Sequence, residues 1–191
     1  FLALEPYTLT VAVGDVSGKG VPAALYSAFA GELVRSRTFR RRYTKVRTSP
    51  AAILESMNTI LHERQLEGYY CTLCYAHFDF KRRLVTLSNS GLPYPIRSSS
   101  EGSGQIHSPG VPLGSFPAIT YDEVTTDLAA GDVFAFFSDG ISEAMNAAGG
   151  EFGTERLIGV IDQHRPQPAK EIADAIFAAV YDFCGEAEPN D

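Results

Sequence analysis

The amino-acid sequence predicts an α+β fold whose sheets are antiparallel. Three observations carry this reading. Apolar, β-branched runs at Tyr70–Phe80 and Leu84–Asn89 are separated only by Lys81-Arg82-Arg83, the spacing of a hairpin. Ile119–Leu128 and Asp132–Phe137 follow each other in the same way across Ala129-Ala130-Gly131. Helical patterns gather before and after this block of strands instead of alternating with it, which excludes a doubly wound parallel sheet. At 191 residues the chain is long enough to bury a full core without staples. A single domain over 1–191, without internal repeats, is expected.

Taken in order, Tyr7–Val13 reads as a strand from its β-branched content and rough alternation. Gly14–Gly20 (GDVSGKG) reads as a glycine-rich turn. A helix is expected over Val21–Arg35, with Pro22 in its first turn and Leu25, Phe29 and Leu33 four apart on a core face. Ser49-Pro50 is an N-cap followed by proline at the first helical position. Ile53, Leu54, Met57, Ile60 and Leu61 then form an apolar stripe to about Gln65. After the first hairpin, Pro93–Arg97 is a third, short strand, and Ser98–Gly104 (SSSEGSG) reads as a low-complexity loop tip. Helices are expected near Gly153–His164 and over Pro168–Cys184, where Ile172, Ile176, Val180 and Phe183 recur at helical spacing.

Charge and composition narrow the function classes. Hydrophobic residues make up 45% and charged residues 20%, so the chain can bury a core and is not disordered. A net charge of −7 argues against a general nucleic-acid binder. No apolar run is long enough to span a membrane, and Phe1–Thr10 lacks the basic opening of a signal peptide. Three cysteines argue against a disulfide framework, and a cytoplasmic location is expected. Seven of the 16 basic residues fall between Arg35 and Arg47, in a stretch free of acids. That segment is either a solvated loop or a dock for an anionic partner.

Several motifs fail on inspection. GDVSGKG has three residues between its first two glycines where a phosphate-binding P-loop has four, and Gly20 stands where that loop needs Ser or Thr. Cys71 and Cys74 have CxxC spacing but sit in an apolar strand. The four histidines are scattered, with no zinc-type pair. Ser138-Asp139-Gly140 lacks the flanking glycines of a nucleophile elbow.

Two acidic turns survive. Asp15 (VAVGDVSGKG) and Asp139 (FAFFSDG) each close an apolar strand beside a glycine, which fixes a carboxylate while letting backbone approach closely. Two such aspartates brought together would repel unless a cation lay between them, the arrangement of a binuclear metal site. Against this, GD and DG are common turn dipeptides.

GDVSGKG followed by VPAAL, together with FFSDGISEA, resembles the SpoIIE-like branch of the PPM metal-dependent serine/threonine protein phosphatases. Asn89-Ser90-Gly91-Leu92-Pro93 and Gly110-Val111-Pro112-Leu113-Gly114 are similar to two further blocks of that family, in the same order. The resemblance implies a two-sheet antiparallel β-sandwich flanked by helices on both faces, in α-β-β-α layers. It implies hydrolysis of phosphoserine or phosphothreonine with two Mn²⁺ or Mg²⁺ ions and a metal-activated water. Carried over, Asp15 bridges both metals, the Val16 carbonyl completes one of them, and Asp139 is a ligand of the same pair. Asp191 is identified with the first aspartate of the family's Asp-Asp-x-Thr strand. The family's earlier Gly-Gly-Asp strand has no counterpart, and Leu92 stands where a histidine is common. The 1–191 domain is therefore expected to be clipped at both ends and to bind metal weakly. The implied partners are a phosphorylated anti-anti-sigma-type protein as substrate and an upstream sensory or receiver domain, with a homodimer left open. Control is expected through Val21–Arg35 and Pro50–Gln65. The competing reading is a pseudophosphatase that binds a regulatory partner without catalysis.

Overall fold

The computed structural model describes residues 6–40, 49–64 and 68–185. Its elements in chain order are β1 Thr8–Val16, α1 Gly20–Arg40, α2 Pro50–Glu63, β2 Cys71–Asp79, β3 Leu84–Asn89 and β4 Ile96–Ser99, followed by β5 Gly102–Gln105, β6 Val124–Asp127, β7 Val133–Ala135, α3 Asp139–Ser142, α4 Gly153–His164 and α5 Ala169–Cys184. The chain divides into two compact units, Phe1–Leu92 with His107–Leu128, and Pro93–Ile106 with Ala129–Asp191.

The first unit holds a four-stranded sheet in the order β1-β2-β3-β6, antiparallel throughout. Strand β2 is central, and every residue in it except Thr72 is buried. Residues on both of its faces are buried, including the polar His77 and Asp79. Cys71, Leu73 and Tyr75 face the helices, in one core with Tyr26 and Ala30 of α1 and Ile53, Leu54, Met57 and Leu61 of α2. Complete burial of Leu54 and Met57 contributes about 1.5–3 kcal/mol each. Cys74 and Ala76, on the other face, have no exposed surface. Helix α2 starts where Ser49 Oγ accepts from Ala52 N at 3.2 Å. Glu123 Oε1 adds a cap from elsewhere in the chain, accepting from Ala51 N at 3.0 Å.

The second unit holds a three-stranded antiparallel sheet, β5-β4-β7, with α3, α4 and α5. Its core joins Ile96 and Phe137 to Phe152, Leu157 and Ile161 and to Ile172, Val180 and Cys184 of α5. Arg97 and Asp132 tie β4 to the turn before β7: the guanidinium donates to Asp132 Oδ2 through Nε at 3.1 Å and Nη2 at 2.9 Å.

The α+β class, the antiparallel pairing and the helices at 50–63, 153–164 and 169–184 match the sequence reading. Several details differ. Strand β1 runs on through Gly14 and Asp15 to Val16, so the turn is confined to Ser17–Lys19. Helix α1 extends five residues past Arg35, which makes Arg37 and Arg40 helical; residues 41–48 of the basic segment lie outside the described residues. The inward face of the helix is also shifted: Phe29 and Leu33 of the expected face pack, partly buried, against the core, but they do not carry its centre. Ala23, Tyr26, Ala30 and Thr38 are buried while Leu25 is 67% exposed. Small alanines let the helix approach the sheet, which a leucine face would hold further off. Finally, Ser98–Gly104 is no loop tip but the β4–β5 hairpin. Its serines are satisfied both within the hairpin and from α4: Ser99 Oγ donates to Gly102 O at 2.8 Å, and Ser98 Oγ donates to Asp162 Oδ1 of α4 at 2.6 Å. Ser103 Oγ donates to the same carboxylate oxygen. The strands expected over Ile119–Leu128 and Asp132–Phe137 shorten to β6 and β7.

Candidate functional site

Asp15 is the penultimate residue of β1, opposite Thr72 of β2, and its side chain is exposed. Its neighbours explain why the chain passes so close to β2 here. A Cβ on Gly14 would lie 2.7 Å from the Thr72 carbonyl oxygen and 2.8 Å from Leu73 Cδ1, so only glycine fits. Thr72 Oγ1 donates to the Asp15 carbonyl at 3.4 Å. Beyond Val16, Ser17 closes the ladder in both directions: Ser17 N donates to Tyr70 O at 3.0 Å, and Ser17 Oγ accepts from Tyr70 N at 2.9 Å. Gly18 then turns with φ +90°, its Cα facing the Tyr69 ring, and α1 begins at Gly20.

The other edge of β2 is held at the same level. Pairing with β3 ends at Cys74–Asn89, and Ser90 takes over from the ladder. Ser90 Oγ accepts from Leu73 N at 2.8 Å and donates to Leu73 O at 3.1 Å, while Ser90 N donates to the same carbonyl at 2.8 Å. Asn89 shapes the turn that allows this, accepting from Leu92 N at 3.0 Å and donating to Leu92 O at 2.8 Å. One step further along β2, Cys71 and Leu113 exchange backbone hydrogen bonds of 3.3 and 2.8 Å. Gly114 is fixed in turn by α2, where Asn58 Oδ1 accepts from Gly114 N at 2.9 Å and His62 Nδ1 donates to Gly114 O at 3.1 Å. The Asn-Ser-Gly and Gly-Val-Pro-Leu-Gly blocks are therefore buttresses of the strand that registers Asp15. Asn58 and Ser90 escaped the sequence reading. The one legible signal was an asparagine inside the apolar stripe of α2, where an unpaired amide would be costly.

Asp139 lies in the second unit. It is not at a strand end, since β7 stops at Ala135; it is the first residue of the single helical turn α3. Its carbonyl accepts from Glu143 N at 2.8 Å and Ser142 Oγ at 3.3 Å, and its side chain is exposed. Phe137, two residues earlier, is anchored in that unit's core. Asp15 and Asp139 thus belong to different units, and Asp191 lies outside the described residues. Among the described residues, no three His, Cys, Asp or Glu side chains gather into a group that could hold a metal. The oxygen donors that are present, two exposed carboxylates and a strand-end carbonyl, are of the hard kind that Mg²⁺ and Mn²⁺ take.

The cysteines behind Asp15 are inert. Burial pushes the Cys71 thiol up to about 12, with the Asp15 charge adding to the effect. Burial alone does the same for Cys74, also to about 12. A thiolate at either position is unavailable near neutral pH.

Comparison with known proteins places this architecture. The chain is 23% identical over 172 residues to the phosphoserine phosphatase RsbU of Bacillus subtilis, covering 89% of this chain and 49% of that protein. It therefore spans about half the length of that relative. In structure it is similar to the SiaA PP2C domain of Pseudomonas aeruginosa, with a TM-score of 0.84 and 22% identity over 99% of this chain and 74% of that one. It is similar also to the PP2C phosphatase domain of Bacillus subtilis SpoIIE with a fragment of its regulatory domain, at TM-score 0.80 and 20% identity, covering 100% of this chain and 54% of that one. Two further structural neighbours carry metal: RsbX is described in complex with magnesium, at TM-score 0.69, and the PstP catalytic domain with two manganese ions, at TM-score 0.65. The two antiparallel sheets with their helices are those of the PP2C, or PPM, phosphatases. A family model described as Stage II sporulation protein E (SpoIIE) matches residues 5–191, and the chain belongs to that family.

Proposed function

We propose that this chain is the catalytic domain of a metal-dependent phosphoprotein phosphatase acting on phosphoserine or phosphothreonine in bacterial signalling. The observation that carries the reading is the setting of Asp15, an exposed carboxylate on a strand whose partner is clamped from its far edge by Ser90 and Leu113. A carboxylate carried on a backbone registered this firmly is suited to a ligand that demands fixed geometry. Asp15, the Val16 carbonyl, Asp139 and Asp191 would hold two Mn²⁺ or Mg²⁺ ions. When bound, such ions acidify water, orient the phosphate and neutralise charge in the transition state. Cys71 and Cys74 stay protonated near neutral pH and supply no thiolate nucleophile.

RsbU, a relative named as a phosphoserine phosphatase, supports a regulatory phosphoprotein as substrate, and the neighbour described as part of the bacterial stressosome supports signalling partners. We take the substrate to be a phosphorylated anti-anti-sigma-type protein, the control to come from a sensory or receiver domain, and the compartment to be the cytoplasm. The test is hydrolysis of a phosphoserine peptide with added Mn²⁺. Asp15→Asn and Asp139→Asn should each lower turnover by at least about a hundredfold with the fold intact. Undiminished turnover in both variants would overturn the metal assignment.

The competing reading is a non-catalytic module that binds a regulatory partner. Calorimetric titration of the full-length protein with Mn²⁺ separates the two, because the module has no need to bind it.

A further inference from the structure

The end of the first sheet that carries Asp15 also carries an aromatic ring, that of Tyr70. Strands β1 and β2 stay in register to Val16–Cys71. Ser17 and Tyr70 add one more pair, with Ser17 N donating to Tyr70 O at 3.0 Å and Tyr70 N donating to Ser17 Oγ at 2.9 Å. Neighbouring side chains fix the direction of each residue here. Tyr69, Cys71 and Leu73 pack in the core shared with α1 and α2, and the Tyr69 ring stacks on Tyr26 of α1 with centroids 6.1 Å apart. Val16 packs against the same core. Side chains alternate along a strand, so Tyr70 and Thr72 point to the other face, which is the face of Asp15.

Asp15 pairs with Thr72, which makes Tyr70 its diagonal neighbour. Diagonal neighbours on one face of an antiparallel pair lie about 7–8 Å apart, a gap that an aromatic side chain spans. Tyr70 is 46% exposed, so its ring keeps apolar area uncovered beside the carboxylate. Both of its backbone groups are held by Ser17, and the ring is therefore presented from ordered chain. Such preorganisation lowers the entropy cost of any contact the ring makes. The other residues on this face, from Leu9 to Val13 on β1 and from Thr72 to Phe78 on β2, are uncharged. A ligand lying across this end meets a carboxylate and, one diagonal step away, an aromatic ring with no second charge on the strands.

We propose that Tyr70 is a specificity-determining residue, its ring packing against an apolar side chain two residues from the phosphorylated serine of the substrate. This rests on the phosphatase reading and adds to it a rule for choosing among phosphoserines. The spacing supports it: an extended peptide repeats its side chains on one side every second residue, about 6.5 Å apart, close to the step from Asp15 to Tyr70.

The test uses the full-length protein with Mn²⁺ and fluorescent peptides carrying a non-hydrolysable phosphonate analogue of phosphoserine. Leu, Gly or Glu occupies the second residue on either side of the analogue. Fluorescence anisotropy should show the Leu peptide bound at least about tenfold more tightly than the other two. Tyr70→Phe should keep that ratio, and Tyr70→Ala should bring it to about one, since only the second change removes the ring. Circular dichroism checks that both variants fold, and the comparison of peptides on the unaltered protein stands in either case. A merely structural role would weaken all three peptides alike and leave the ratio intact. Equal affinity for the three peptides, a preference for Glu, or a Leu preference that survives in folded Tyr70→Ala overturns the assignment. Turnover of N-acetyl phosphoserine amide, which has no flanking side chain, tests the phosphatase reading separately. Hydrolysis without a peptide preference removes the role of Tyr70 alone, and a Leu preference without hydrolysis removes catalysis alone.

Discussion

Gly110 shows how tightly the buttress behind Asp15 is built. A Cβ at this position would lie 2.0 Å from the Asn89 carbonyl oxygen and 3.2 Å from Ser90 Cα, and neither is a side chain that can swing away. Gly110→Ala should therefore cost about 3 kcal/mol, seen as a lowered midpoint in urea denaturation. Ser90→Ala is subtler. It leaves the backbone bond to Leu73 O but strips the acceptor from Leu73 N, a buried group, and should cost about 1–3 kcal/mol. If the seryl hydroxyl positions Asp15, Mn²⁺ affinity should fall further in this variant than in a surface substitution of equal destabilisation. Unaltered affinity would reduce Ser90 to a purely structural role. At this scale the sequence was legible where chemistry and geometry coincide: Asp15 and its glycine stand out as a pair. Ser90 and Asn58 did not stand out, because a serine or asparagine that replaces a ladder rung looks like any turn or helix polar residue until its partner, 17 or 56 positions away, is known.

Helix α2 and the β4–β5 hairpin make the same point for elements. The cap and stripe of α2 were readable because both are local, and Ser49→Ala should cost about 1 kcal/mol by releasing Ala52 N. The loss should stay that small, since Glu123 still holds Ala51 N; a drop in melting temperature larger than that would mean the two caps act together. The hairpin was misread as a loop because its residues are Ser and Gly, which favour turns in isolation. What makes it a sheet is non-local: the carboxylate of Asp162, on α4, accepts from both Ser98 and Ser103. Asp162→Ala should destabilise by about 2 kcal/mol, visible as faster amide exchange in β4 and β5. Helix α1 was found in the right place with Phe29 and Leu33 against the core, but its fully buried positions Ala23, Tyr26 and Ala30 were missed, because periodicity counts large aliphatic residues and alanine carries little of that signal.

Across the whole molecule, stability should decline in alkali. Burial holds Cys71, Cys74 and Tyr26 up to about 12, above their ordinary values, so the native state keeps protons that the unfolded chain gives up. Their contribution is intact below about pH 8.5 and is lost as pH rises toward about 12. Urea midpoints at pH 7.5 and 10.5 test this, with the midpoint expected to be lower at pH 10.5 and the difference smaller in a Cys71→Ala, Cys74→Ala variant. The fold class was legible at this scale from the order of its strands and helices. The division of the chain was not, because Pro93–Ile106 belongs with Ala129–Asp191 although His107–Leu128 returns to the first unit. That excursion has a consequence for synthesis from N- to C-terminus. The first unit has all of its chain once Leu128 has emerged, whereas β4, the middle strand of the second sheet, must wait for Val133–Ala135 to pair along its other edge and for α4 and α5 to cover it. A two-stranded hairpin alone is marginal in water. Nascent chains ending near Leu128 should thus resist proteolysis within β1, α2, β2, β3 and β6 yet be cut between Pro93 and Ile106, and that cleavage should disappear only after Cys184 has left the ribosome.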